Sequence, residues 1–259
     1  MISKNQLKYY AALKRKPNRE QYQRFIVEGL RLCEEALDSD YQFEIVLHCP
    51  AEACSSRARE LIDKYKAADV PVEEINSAAC KQISDTENPQ GILAIAKMQK
   101  VDGDKLLATS PRVLVALDAI NDPGNLGTII RSASWFGIDA VLIGENSVEA
   151  TNPKVVRSSM GSVFHLSIWE KLDLLKVLGE LKENGYEIYA SDARGEVPYN
   201  RINFDRKYVI VFGNEISGVN ANLKKIANGI IAIPGRGRAE SLNVAVAAGI
   251  ILAETTGRN

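Results

Sequence analysis

Beyond residue 112 the chain alternates two kinds of segment. Five short runs are apolar at almost every position: VLVALDAI (113–120), AVLIG (140–144), EIYASDA (187–193), YVIVFGN (208–214) and GIIAIPG (229–235). Such runs fit strands covered on both faces of a mostly parallel sheet. Between them, helical spacing predicts helices at about 126–136, 152–159, 170–184 and 220–228. A last helix, about 242–254, is small or apolar on nearly every face, which predicts burial all round. Strands alternating with helices argue a doubly wound sheet, whose ligands bind beyond the carboxyl ends of the strands.

The first 98 residues have a looser pattern. NREQYQRFIVEGLRLCEEAL (18–37) has a short apolar lead-in, then helical spacing through Leu30, Cys33 and Leu37. FEIVLHC (43–49), PVEEIN (71–76) and GILAIAKM (91–98) read as strands, and SSRARELIDKYKAA (55–68) as a helix. Together they predict a compact α/β unit. VDGDKLLATSP (101–111) is polar and punctuated by Gly and Pro, and reads as a linker. The expected division is a small α/β domain over 1–100, the linker 101–111, and a parallel-sheet α/β domain over 112–259.

Composition narrows the chemistry. Of 259 residues, 46% are apolar, enough for a core, yet no run approaches the ~20 apolar residues of a membrane span. The N-terminus, MISKNQLKYY, lacks the apolar core of a signal peptide, so a cytoplasmic protein is expected. Cys33, Cys49, Cys54 and Cys80 form no CxxC pair, and His48 and His165 are the only histidines. A His/Cys metal site is therefore not expected, and neither histidine has the context of a nucleophile's base. The net charge of −1 hides an asymmetry, because residues 1–31 hold eight Lys/Arg, among them Lys14, Arg15 and Lys16, against two acids. A basic arm on a near-neutral protein points to a polyanionic partner such as RNA.

The remaining polar residues collect after three strands. NDPGNLGTIIRSA holds Asn121, Asn125, Gly127 and Arg131; Glu215 to Gly218 follow YVIVFGN; GRGRAESLN follows GIIAIP. Taken singly these are ordinary βα turns, but together they crowd the ligand-binding edge of one sheet. No phosphate-binding GxxxxGK[ST] occurs, and the dinucleotide fingerprint GxGxxG fails at its middle glycine between Gly124 and Gly127. That disfavours a nicotinamide-dependent oxidoreductase.

DAINDPGNLGTIIRSASWFGID, NPKVVRSSMGSVFHLSI, YVIVFGNEISGVN and IAIPGRGRAESLNVAVAAGIILAE resemble, in order and spacing, the motifs of the SpoU/TrmH family of RNA ribose 2′-O-methyltransferases, in the SPOUT superfamily. FIVEGLRLCEEAL and NPQGILAIA resemble that family's substrate-binding domain. The resemblance implies a C-terminal trefoil knot, S-adenosylmethionine as cofactor and a homodimer. It places Gly213, Ile233 and Leu242 on the cofactor, largely through backbone, with Asn214 and Asn243 beside them. It places Asn125, Arg131, Glu215, Ser241 and Asn243 at the catalytic centre. A guanidinium stays protonated in proteins, so Arg131 is better read as a phosphate clamp and a stabiliser of alkoxide charge than as a base. Asn125 would orient the ribose, and Glu215 would fix Arg131 or brace a turn. Lys14, Arg15 and Lys16, with Arg57 and Arg59, and Arg236 and Arg238 in the flexible loop would meet RNA, ribosomal RNA by preference. Two alternatives stay open: a transfer-RNA ribose methyltransferase, and a non-catalytic RNA-binding or ribosome-assembly factor.

Overall fold

The structure is a computed structural model and describes residues 2–202 and 206–256. Its strands are β1 (Arg24–Glu28), β2 (Phe43–His48), β3 (Val72–Glu74), β4 (Ile92–Lys97), β5 (Val113–Asp118), β6 (Ala140–Gly144), β7 (Ser167–Leu172), β8 (Glu187–Ser191), β9 (Val197–Pro198), β10 (Tyr208–Gly213) and β11 (Gly229–Ala232). They form a four-stranded sheet, β1-β4-β2-β3, and a seven-stranded sheet, β7-β6-β5-β10-β8-β11-β9. The chain divides by contacts into two units. One is Met1–Gln99 with Thr151–Phe164; the other is Lys100–Ala150 with His165–Asn259.

In the second unit every strand pairing is parallel. Leu114, Ala116, Leu142, Ile188, Ala190, Val209 and Val211 share one core. The alternate residues Val115, Leu117, Val141, Ile210 and Phe212 are buried too, so both faces are covered, as the continuous apolar runs require. The helix Leu174–Glu183 supplies Leu174, Val177, Leu178 and Leu181 to the first face. The helix Pro123–Trp135 packs on the final helix Val244–Thr256, which also touches β10. Chain order reverses between β5 and β10, which lie side by side with Asp118 opposite Gly213. The loops after these two strands therefore emerge together at the switch point, where open α/β sheets bind ligands.

The first unit is a mixed sheet, with β1 and β2 antiparallel to β4 and β3 parallel to β2. Tyr10, Leu13, Ile26, Leu47, Cys80, Leu93 and Ile95 share its core. The segment Thr151–Phe164 joins this unit through side chains. Phe164 stacks on Phe25 with centroids 6.4 Å apart and meets Tyr41 edge-on, and Arg157 pairs with Asp85 at 2.8 Å.

Several elements differ from the sequence pattern. Residues 24–28 are an edge strand, not the lead-in to a helix; the helix starts at Leu30, after Gly29. β7 lies where a helix from about 170 was expected, and that helix begins at Leu174, capped by Asp173. Residues 103–108 form a helix, capped by Asp102, whose Leu106 enters the second unit's core. A helix this short is too brief for its spacing to be read.

Candidate active site

β5 ends at Asp118, and Ala119 takes a left-handed backbone, φ +55°. Such a conformation in a residue with a Cβ is strained, and such strain gathers at functional sites. Asp122 then caps the helix Pro123–Trp135 by accepting from the Asn125 amide at 2.9 Å, with Pro123 pre-set for the first turn. This cap fixes Asn125 at the helix entrance.

β10 ends at Gly213, where the loop doubles back. A Cβ there would lie 2.2 Å from the Val219 nitrogen, so only glycine fits. Asn214 organises the turn. Its Oδ1 accepts from the amides of Ile216 (2.9 Å) and Ser217 (3.2 Å), and its Nδ2 donates to the Ala119 carbonyl at 3.0 Å. That last bond ties the β10 loop to the β5 loop. Asp118 adds a second tie by accepting from the Asn220 amide at 2.7 Å.

The third loop, after β11, is built differently. Among the described residues, no hydrogen bond or ion pair involves Pro234 through Leu242. The loop ends at Asn243, whose Oδ1 accepts from the Ala245 amide at 2.9 Å and the Val246 amide at 3.3 Å, starting the final helix.

These three loops deliver one connected group. Asn243 Nδ2 donates to Asn125 Oδ1 at 3.0 Å, and Asn125 Nδ2 donates to Glu215 Oε1 at 2.5 Å. The bonds join residues 118 and 90 positions apart. Each amide is used in both senses. Asn243 accepts helix amides and donates to Asn125; Asn125 accepts from Asn243 and donates to the carboxylate. The relay thus has a direction, running from the helix N-terminus to a negative end.

The other expected site residues make no bond to this relay among the described residues. Arg131 lies further along the Asn125 helix, exposed, with no side-chain hydrogen bond or ion pair among the described residues. The side-chain bond of Glu215 goes to Asn125, not to Arg131. Ser241 is exposed, Leu242 is 49% exposed, and Ile233 is half-buried just past β11. Arg236 and Arg238 stand exposed in the unbonded loop. In the first unit, Lys14 Nζ donates to the carbonyls of Gln82 (2.8 Å) and Ser84 (3.2 Å), whereas Arg15 and Lys16 are exposed.

Sequence reasoning did not single out Asp118, Asp122 or the Asp192–Lys224 ion pair. Lys224 follows the β10 loop and Asp192 follows β8, and the Lys224 bond holds the Asp192 carboxyl below the usual carboxylate range. The Asp-Pro pair at 122–123 was a legible cap signal. Nothing local marks Asp192.

The site residues fit an adenosyl cofactor. The half-exposed Leu242 and the almost fully exposed Ile216 offer apolar surface, and the 234–242 backbone has donors and acceptors that are open among the described residues. Apolar side chains next to unspent backbone polar groups suit a flat heteroaromatic ring.

Residues 112–253 match the SpoU rRNA Methylase family, and residues 4–94 match the MRM3-like substrate binding domain. A Bacillus subtilis relative, 23S rRNA (guanosine(2553)-2′-O)-methyltransferase RlmP, is 35% identical over 96% of both chains. Among solved structures, an AdoMet-bound rRNA methyltransferase from Sinorhizobium meliloti superposes with TM-score 0.86 at 29% identity, covering 98% of this chain and 95% of that one. The SpoU methyltransferase AviRb from Streptomyces viridochromogenes, in complex with AdoMet, gives TM-score 0.86 at 25% identity over 99% and 98%. With the family match spanning more than half its length, and the relay built on that family's motifs, the chain belongs to the SpoU rRNA Methylase family.

Proposed function

We propose that the protein methylates a ribose 2′-hydroxyl in ribosomal RNA. S-adenosylmethionine supplies an electrophilic methyl on a sulfonium, so the protein's task is to bind and align. The observation that carries this reading is the Asn243–Asn125–Glu215 relay at the switch point, with Arg131 on the Asn125 helix and its side chain unpaired among the described residues.

Each residue has a part that its surroundings support. Asn125, held from both sides, orients the ribose. Arg131 takes the phosphate next to the target and stabilises the charge growing on the 2′-oxygen. Glu215 anchors Asn125. Asn243 joins the relay to the final helix, and Ser241 stands beside it as a further polar contact. Gly213, Asn214, Ile233 and Leu242 line the cofactor slot. In-line alignment of this kind accounts for up to roughly 7–11 kcal/mol of a barrier. No metal is needed for this chemistry.

Three wider features belong to the same reading. The final helix passes through a trefoil knot. The protein is a homodimer, supported by Trp135 (83% exposed) and Val246 (52% exposed) on the two helices that pack together. It works in the cytoplasm, with Arg15, Lys16, Arg236 and Arg238 on RNA phosphates; Lys14 reaches RNA only with the donor its two carbonyl bonds leave over. Calorimetry with S-adenosylmethionine tests the cofactor assignment: one site per chain is expected, and absence of binding would remove it.

A further inference from the structure

The first unit has a loop cluster of its own. β1 and β2 both run antiparallel to β4, so their carboxyl ends share an edge with the start of β4. The loops at this edge are cross-tied. The buried Glu28 carboxylate accepts from the Ser84 hydroxyl, the Thr86 hydroxyl (2.6 Å) and the Asp85 amide (3.0 Å). Gln90 Oε1 accepts from the Leu30 amide at 3.1 Å, and the Cys49 amide donates to the Gly91 carbonyl at 2.7 Å. Gly91 has φ +78°, and a Cβ on it would lie 2.8 Å from the Ala53 nitrogen. The edge is therefore set before any ligand arrives.

Between these loops lies a groove of about 450 Å³. Leu30, Ala53, Ala58 and Ile92 give it an apolar floor. Its rim carries Arg31, Arg57, Glu52 and Gln90. The Arg31 side chain has no hydrogen bond or ion pair among the described residues. Arg57 is aimed by two bonds to Glu34, one of them 2.7 Å, which leaves other guanidinium donors unspent. Glu52 accepts from the Cys49 thiol, which holds its carboxyl below the usual range, so it stays an acceptor at neutral pH.

We propose that this groove seats one unstacked nucleotide of the RNA substrate, with its base on the apolar floor and its phosphate on Arg31. The idea rests on the function proposed above and goes beyond it by naming the place and the recognised form. The Gln90 amide and the Glu52 carboxylate meet the base edge as donor and acceptor, and Arg57 lies beside the backbone. Sequence-specific RNA recognition works in this way, on looped bases rather than on paired ones. A solvated basic patch would need no apolar floor, and a continuous duplex would offer no base to it. A volume of this size falls within the roughly 300–1,000 Å³ of sites that enclose small ligands.

Cys54 stands exposed in the groove wall, while Cys33, Cys49 and Cys80 are buried, so its thiol reports on occupancy. The test uses the full chain, with deproteinised 23S ribosomal RNA as probe and a fully paired RNA duplex as control. The rate of Cys54 alkylation by N-ethylmaleimide is followed by mass spectrometry. Ribosomal RNA is expected to slow it about tenfold and the duplex to leave it unchanged. Arg31→Glu and Gln90→Ala should each weaken ribosomal RNA binding by about tenfold. Arg31→Ala should lower the log–log salt slope by about 0.7. Cofactor affinity should not move in any of these variants, Tm should not move in the Arg31 variants, and Arg31→Lys should recover most of the binding. If Cys54 alkylates equally fast with and without ribosomal RNA that the protein binds and methylates, the groove is wrong and the function stands. A protein that neither binds nor methylates this RNA overturns both.

Discussion

Asn243 does two jobs through different atoms, so substitution can separate them. Its Oδ1 caps the final helix, and its Nδ2 donates to Asn125. Asn243→Asp keeps the capping oxygen and adds negative charge at a helix N-terminus, where charge of that sign is favourable. It removes the donor, however, and sets a carboxylate against Asn125 Oδ1. Asn125 cannot flip to satisfy it, because its Nδ2 is already on Glu215. One carboxylate must then face the amide oxygen. The relay is solvent-facing, so the cost sits low in the range for an unmade hydrogen bond, about 1–1.5 kcal/mol. If that loss is felt in the transition state, the rate falls about tenfold. Asn243→Ala loses both roles and should destabilise by about 1 kcal/mol through the missing cap. The assays are single-turnover methylation at saturating RNA and cofactor, and thermal melting. The expected pattern is a slow Asp variant, kept by its retained cap and favourable helix-end charge above the melting point of an Ala variant that is also slow. An Asp variant with wild-type turnover would refute the relay, and one melting as low as Ala would refute the cap.

Arg131→Ala should cost roughly 10²–10³ in rate, as for loss of one preorganised charge partner, while S-adenosylmethionine affinity stays within a few-fold by calorimetry. Lys14→Met, which strips the bonds to Gln82 and Ser84, should lower Tm with a loss of about 1 kcal/mol. Arg15→Gln should leave Tm alone and flatten the salt dependence of RNA binding by about 0.7–0.9 per lost contact. An unchanged slope would take the arm off the RNA surface. Burial pushes the Cys33 and Cys80 thiols up to about 12, so native protein should give one fast-reacting thiol, Cys54, and four in denaturant. Because the Lys224 bond depresses the Asp192 carboxyl, its stabilisation is present above the ordinary carboxylate range and is lost as pH falls through the depressed value. The Tm difference between wild type and Asp192→Asn should therefore shrink on acidification, and a constant difference would contradict the linkage.

The second unit's central strands were legible because burial on both faces leaves nothing but apolar residues, as in YVIVFG at β10. β1 was not, because the apolar residues of FIVE and LRLC together also satisfy a helical count; only Glu28 and Gly29 mark the joint. β7 lies at a sheet edge and mixes Ile168 and Trp169 with Glu170 and Lys171, so its pattern is weak. The site's residue types were legible through their motifs, but their partners were not. That Glu215 meets Asn125 and not Arg131 depends on how two loops 90 positions apart cross at the switch point. Lys14 shows the same limit. Its charge reads as part of a basic arm, and its bonds to Gln82 and Ser84 exist only in the folded unit.

The central claim is the position of the transferred methyl. Full-length protein is incubated with methyl-labelled S-adenosylmethionine and deproteinised 23S ribosomal RNA, and the product is hydrolysed in alkali. A 2′-O-methyl group blocks cleavage at its own phosphodiester, so the label is expected in one alkali-resistant dinucleotide and, at the same short incubation, to fall about 10²–10³-fold in that fraction with Arg131→Ala. Label released with mononucleotides, on a base, or no incorporation from a protein that binds the cofactor, would contradict the account.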